Sequence, residues 1–289
     1  MARSPAHRFG QIIGEVLESA IEPLLEDFAR AHDLFLDKKG ARACRRGGKC
    51  TWTDANGNQH DLDFVLERGG GTDRVGVPVA FIETAWRRYT KHSRNKAQEI
   101  QGAIEPLAET YRASMPFKGA ILAGVFTAGS LSQLRSLGFI VLHVPLGSVV
   151  EVFGQFGIDA QFDEATLDAE FQKKVDRYNR LSKRRRNQLA QSLVQRHATD
   201  VQGFLQSLDK VVSRQIERIL VIALHGNLQE LRTVDDAVAF VRNYAETTAS
   251  LPLARFEIEV QFGNGDTIRG SFADRDAAIA FLNGYRPPA

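Results

Sequence analysis

Two carboxylates lie two residues apart on an apolar run, His60-Asp61-Leu62-Asp63-Phe64-Val65-Leu66, and a third, Glu83, closes the run Val77-Pro78-Val79-Ala80-Phe81-Ile82. Gly69-Gly70-Gly71 lies between the runs, which are short, β-rich and bounded by Gly or Pro and so read as strands. Paired side by side, they bring Asp61 or Asp63 next to Glu83, where carboxylates repel one another unless something positive lies between them. Hard oxygen ligands with open positions suit Mg²⁺ or Mn²⁺. Asp61 and Asp63 face the same side of a strand, and Asp63, deeper in the apolar run, is the better first-strand ligand. The next segment, Trp86-Arg87-Arg88-Tyr89-Thr90-Lys91-His92-Ser93-Arg94-Asn95-Lys96, is cationic and aromatic and suits a polyanion.

An acid-bearing strand, a turn, a strand ending in Glu and a helix resemble the active-site hairpin of the PD-(D/E)XK nuclease superfamily, to which most Type II restriction endonucleases belong. The family pattern is an acid on the first strand and (D/E)-x-K on the second. Asp61 or Asp63 matches the first and Glu83 the second, but Glu83-Thr84-Ala85 carries Ala85 where the lysine belongs.

The resemblance implies Mg²⁺-dependent hydrolysis of double-stranded DNA, with Mn²⁺ as a substitute and Asp63, Glu83 and Asp61 as ligands. Some family members move a catalytic residue onto the following helix, so Lys91 or Lys96 is expected to replace the missing cation. Arg87 and Arg88 suit that role less, because a guanidinium keeps its proton. Glu99 is a further catalytic candidate, Gln98 a hydrogen-bond donor, and Glu18 of the first helix another possible acid. DNA contacts are expected from Arg45, Arg46, Lys49, Arg87, Arg88, Lys91 and Arg94. The expected function is a Type II restriction enzyme acting as a homodimer on a palindromic duplex. Ala85 keeps two alternatives open: a repair or recombination nuclease of the same fold, or a catalytically silent module that binds DNA or a protein. Each residue also has a plainer reading, with Asp61 or Asp63 solvating a strand edge, Glu83 paired to Arg87, and Trp86 and Tyr89 packing.

The 289 residues are 43% hydrophobic and 25% charged, the composition of a globular protein able to bury a core. Net charge is only +2, so affinity for nucleic acid must come from local clusters. One is Lys38, Lys39, Arg42, Arg45, Arg46 and Lys49, and another is Lys183-Arg184-Arg185-Arg186. Cys44 and Cys50 form no disulfide framework, and with His60 they fall short of a zinc site. No apolar run reaches membrane-spanning length and no signal peptide is evident at the start, so a soluble cytoplasmic protein without membrane contact is expected.

The elements that position these residues form a mixed α/β (α+β) order. Residues 10–32 are an amphipathic helix, 37–50 a basic loop, and Asp54-Ala55-Asn56-Gly57-Asn58 a turn that sets 51–53 beside 62–67. A helix follows at 97–112, then a buried strand at 119–126, a helix at 130–137 and a strand at 139–144, which implies a parallel crossover. This α-β-β-β-α-β-α-β order agrees with the nuclease-like core, expected over 1–160. Residues 161–215 read as a helical segment and 216–289 as a ββαββα subdomain. Arg218-Ile219-Leu220-Val221-Ile222 and its Asp235-Asp236 helix repeat as Arg255-Phe256-Glu257-Ile258-Glu259-Val260 with Asp274-Arg275-Asp276.

Overall fold

The Ser4 hydroxyl accepts from the His7 N–H at 3.2 Å and Pro5 takes the first helical position, so α1 (Pro5–Ala31) starts before its apolar period does. It continues through Pro23, with Ile12, Ile13, Val16, Leu17, Ile21 and Leu25 buried. The structure, a computed structural model, describes residues 4–89, 93–224, 227–245 and 253–286.

After α1 come β1 (Leu34–Lys38), β2 (Cys50–Thr53), β3 (Gln59–Leu62), β4 (Phe64–Arg68), β5 (Val77–Arg87), α2 (Ser93–Thr110), β6 (Phe117–Gly124), α3 (Ala128–Ser136), β7 (Ile140–Pro145) and α4 (Leu146–Gln155). The central sheet is mixed, in the order β1-β4-β5-β6-β7. β1, β4 and β5 are antiparallel neighbours, and β5, β6 and β7 run parallel, joined by the crossovers α2 and α3. β6 is buried from Gly119 to Gly124, as a strand covered on both faces must be.

Two expectations change here. The run from His60 to Leu66 is not one strand: β3 ends at Leu62, β4 begins at Phe64, and Asp63 occupies the bend. Among the described residues β3 pairs with β2 alone, as Cys50 opposite Leu62 and Trp52 opposite His60, whereas β4 sits inside the main sheet. A change of pairing partner leaves no mark on hydropathy, so the run reads as continuous. The third antiparallel strand of the sheet is therefore β1, at the start of the expected basic loop, and not the 51–53 segment.

The Asp54 turn forms as expected. Asp54 accepts from the Asn56 and Asn58 N–H groups at 2.9 Å each, and hydrogen bonds from His60 and Asn58 hold its carboxyl well below the usual range. His60 is thereby engaged 3.0 Å from Asp54. Trp52 packs edge-on against Phe81 of β5, which fastens the hairpin to the sheet.

The polar segment from 164 resolves into α5 (Asp168–Arg180), α6 (Lys183–Arg196) and α7 (Ala198–Val212), and α5 and α6 pack on α1. Arg185 lies over Phe156 at 4.7 Å and Arg186 over Tyr178 at 4.8 Å. The chain divides into two compact units, one of residues 1–110 with 116–209 and the other of 111–115 with 210–289. The helices α5 and α6 belong to the first unit.

In the second unit, β8 (Ile216–Ala223), β9 (Asn227–Leu231), α8 (Val234–Asn243), β10 (Phe256–Phe262), β11 (Thr267–Phe272) and α9 (Arg275–Asn283) form the expected ββαββα arrangement. Its antiparallel sheet runs β11-β10-β8-β9. Phe256, Ile258, Val260 and Phe262 alternate inward to meet Val238, Val241, Ala278 and Leu282 of the helices. Asp274 caps α9, but Thr233, and not Asp235, caps α8. The first Gly-Asn turn begins at Gly226, outside the described residues.

The basic loop after β1 is anchored by buried ion pairs. Arg42 meets Glu67 with both terminal nitrogens, at 2.5 and 3.0 Å, and donates to the Gly71 and Arg74 carbonyls. Asp37 lies 3.0 Å from Arg42 and 2.5 Å from Arg45, and Cys50 Sγ donates to it at 3.2 Å. Glu67 is fully buried and Asp37 nearly so, so each acid depends on its guanidinium partners. Arg42→Ala leaves both carboxylates short of a partner, and urea denaturation should show a loss of about 3–5 kcal/mol.

Candidate active site

β4 and β5 pair Phe64 with Ile82, so the next residues outward, Asp63 and Glu83, stand across from each other. Glu83 does not end its strand: pairing of β5 with β6 continues to Arg87 and holds Glu83 beside Ala120. The Thr84 N–H and hydroxyl both donate to Asp63 Oδ2 at 2.7 Å. The backbone N–H of Asp63 in turn donates to the Glu83 carboxylate. Each acid is thus held partly by the other strand.

Glu83 is 7% exposed. Burial, and then the charge of Asp63, push its carboxyl up to about 8. The same two causes push Glu18, on α1, up to about 7, with Lys39 opposing. Carboxyl groups from α1, the β3–β4 bend and β5 are therefore gathered in one place.

Lys96 enters this place from the first turns of α2. Its Nζ lies 3.9 Å from Glu83 Oε2 and 3.5 Å from Glu99 Oε2. Ala85, two residues along β5 from Glu83, shares its strand face and is almost buried. Lys96 thus brings a cation to Glu83 from a neighbouring helix. Lys91, the other expected cation, lies outside the described residues.

Other expected site residues are placed elsewhere. Asp61 is exposed on the β2–β3 hairpin, where Lys49 at 2.5 Å and Thr51 at 2.6 Å hold its carboxylate and lower its pKa. Its partners are on the hairpin and not at Glu83, because the bend at Asp63 breaks the alternation that would have aligned the two aspartates. Arg45 is occupied by Asp37 and by the Lys38 and Gly40 carbonyls. Arg88 is enclosed by the rings of Tyr89, Phe171 and Phe162 at 4.4, 5.1 and 5.3 Å. Trp86 and Tyr89 both pack edge-on against Phe162. Arg87 donates to Glu99 at 3.3 Å, and Glu99, largely exposed, links it to Lys96. Arg46 and Arg94 are exposed.

The sequence carries a signal for Thr84 as well, because a hydroxyl next to Glu83 within a largely apolar strand requires a partner once buried. Among the described residues, no group of three or more His, Cys, Asp and Glu stands in metal-holding geometry. The donor set still suits a hard cation, since Mg²⁺ is commonly bound by one or two carboxylates, with water and phosphate oxygens completing its shell. No protein-family model, curated protein or solved structure matches the chain.

The raised carboxyls set a pH dependence. Between about pH 4.5 and 8 the folded protein retains the Glu83 proton that the unfolded chain has released. Stability therefore falls as pH rises through that window and levels off above it. The Glu18 carboxyl is raised as well, so the slope belongs to Glu83 and Glu18 together. Thermal melts across this range should show the decline, on the order of 2–4 kcal/mol. Glu83→Gln should flatten it and raise the melting temperature at the alkaline end.

Proposed function

We propose that the chain is a Mg²⁺-dependent endonuclease acting on double-stranded DNA, of the PD-(D/E)XK kind and most simply a Type II restriction enzyme. The observation that carries this reading is the approach of Lys96 Nζ to within 3.9 Å of Glu83, which is buried and coupled to Asp63. The strand order around the site and its placement on the β4–β5 hairpin support it, as does the resemblance in motif order.

Phosphodiester hydrolysis needs an oriented water, neutralisation of the phosphate charge, and a proton for the leaving oxygen. A divalent cation bound at Asp63 and Glu83 supplies charge neutralisation at the phosphate and a more acidic attacking water. Asp63 and Glu83 provide the carboxyl oxygens for such an ion, and the raised carboxyls of Glu83 and of Glu18 on α1 give up their protons when a cation takes the proton's place. Lys96 replaces the motif lysine: its three N–H donors orient the water or stabilise a non-bridging phosphate oxygen. Arg87, linked to Lys96 through Glu99, brings a guanidinium that clamps phosphate in this reading. Arg46, Lys49 and Arg94 are exposed and contact the DNA backbone in this reading, whereas Arg45 and Arg88 are committed inside the protein. A homodimer would match the two-fold symmetry of a palindromic target.

The test is cleavage of a mapped plasmid with MgCl₂ against EDTA. Discrete bands support a restriction enzyme, structure-dependent nicking supports a repair nuclease, and retained binding without cutting removes the hydrolase reading. Glu83→Ala should abolish cutting and preserve much of the DNA affinity. Lys96→Ala should slow it by about 10²–10³. Asp61→Ala should leave the rate close to wild type, because Asp61 is bound to its own hairpin.

A further inference from the structure

Thr84 follows Glu83 where the apolar run Val79 to Ile82 of β5 ends, with Ala85 after it, and it is only 8% exposed. Its backbone N–H lies one step beyond Ile82 and Glu83, where β4 no longer continues to offer a carbonyl. The Asp63 side chain supplies the acceptor instead. The N–H and the hydroxyl converge on the same oxygen, Oδ2, at 2.7 Å each, so Oδ1 is spared their hydrogen bonds. A bend gives a side chain less lateral support than a strand interior, and an aspartate there has two torsions to restrain. Threonine suits the task because β-branching stiffens its own first torsion.

We infer that Thr84 is a positioning residue: it orients the Asp63 carboxylate and sets the affinity of the site for a divalent cation. This rests on the hydrolase reading above, because it assigns a cation to Asp63 and Glu83. Groups that orient a metal-binding carboxylate typically contribute 10–100-fold in metal affinity.

The experiment is titration of the full chain with MgCl₂ and with MnCl₂, read as the rise in melting temperature, with plasmid cleavage measured in parallel. Wild type, Thr84→Val, Thr84→Ser and Glu83→Ala are compared. Thr84→Val keeps shape and the backbone donor but loses the hydroxyl, so its half-saturating cation concentration should rise by about 10–100-fold. Cleavage by this variant should recover towards wild type as the cation is raised. Thr84→Ser restores the hydroxyl and should bind nearly as wild type does.

A hydroxyl with only a packing role would lower the melting temperature of Thr84→Val without moving the half-saturation point. That result overturns the inference and leaves the hydrolase reading intact, provided Glu83→Ala has lost its response. A wild-type protein with no cation-dependent shift and no cleavage overturns both.

Discussion

Like charge held out of water is the constraint around which the first unit is arranged. Two unit charges 4 Å apart interact by about 1 kcal/mol in water and by about 4 kcal/mol at the effective dielectric near a protein surface. The Glu83 carboxyl is raised first by its burial, then by the charge of Asp63, with a smaller push from Glu18. A fold spending stability on such a site must compensate nearby. Here the compensation is local: a backbone N–H from Asp63 to Glu83, two donors from Thr84 to Asp63, and the ammonium of Lys96. In the proposed chemistry a divalent cation would neutralise the charge that these contacts leave.

The bend at Asp63 makes this arrangement possible. If β3 and β4 were one continuous strand, Asp61 and Asp63 would share a face and Asp61 would be drawn towards the same centre. The chain instead changes partner between Leu62 and Phe64, so Asp61 stays with Lys49 and Thr51 on the hairpin while Asp63 turns to Thr84. The hairpin is held by Trp52 on Phe81 and by the Asp54 turn. The other end of β4 is held by Glu67 in the Arg42 network. β4 is thus anchored at both ends, which keeps Asp63 in register with Glu83.

The basic residues divide into two populations that composition does not separate. Arg42 and Arg45 neutralise buried acids, and Arg88 is stacked among aromatic rings. Arg46, Lys49 and Arg94 remain exposed. With a net charge of only +2, the electrostatic surface depends on which arginines are used internally, and a run of cations overstates what is presented to a partner.

Much of the secondary structure was legible in the sequence because local periodicity and caps determine it. The amphipathic α1, the buried run of β6, the glycine-closed α3 and the repeated ββα units all follow from side-chain period and turn chemistry, whereas β7, whose apolar run reads as buried, is an edge strand with Ile140 exposed. The pairing of acids across a hairpin was legible too, through Asp63, Glu83 and the order of elements around them. Three matters belonged to tertiary structure alone: where the chain changes sheets, which lysine reaches Glu83, and which arginines are buried. Each depends on contacts between segments distant in sequence, such as Lys96 with Glu83, Arg42 with Glu67 and Thr84 with Asp63, and on the dielectric those contacts create. A spacing rule measures distance along the chain, whereas charge responds to distance through space.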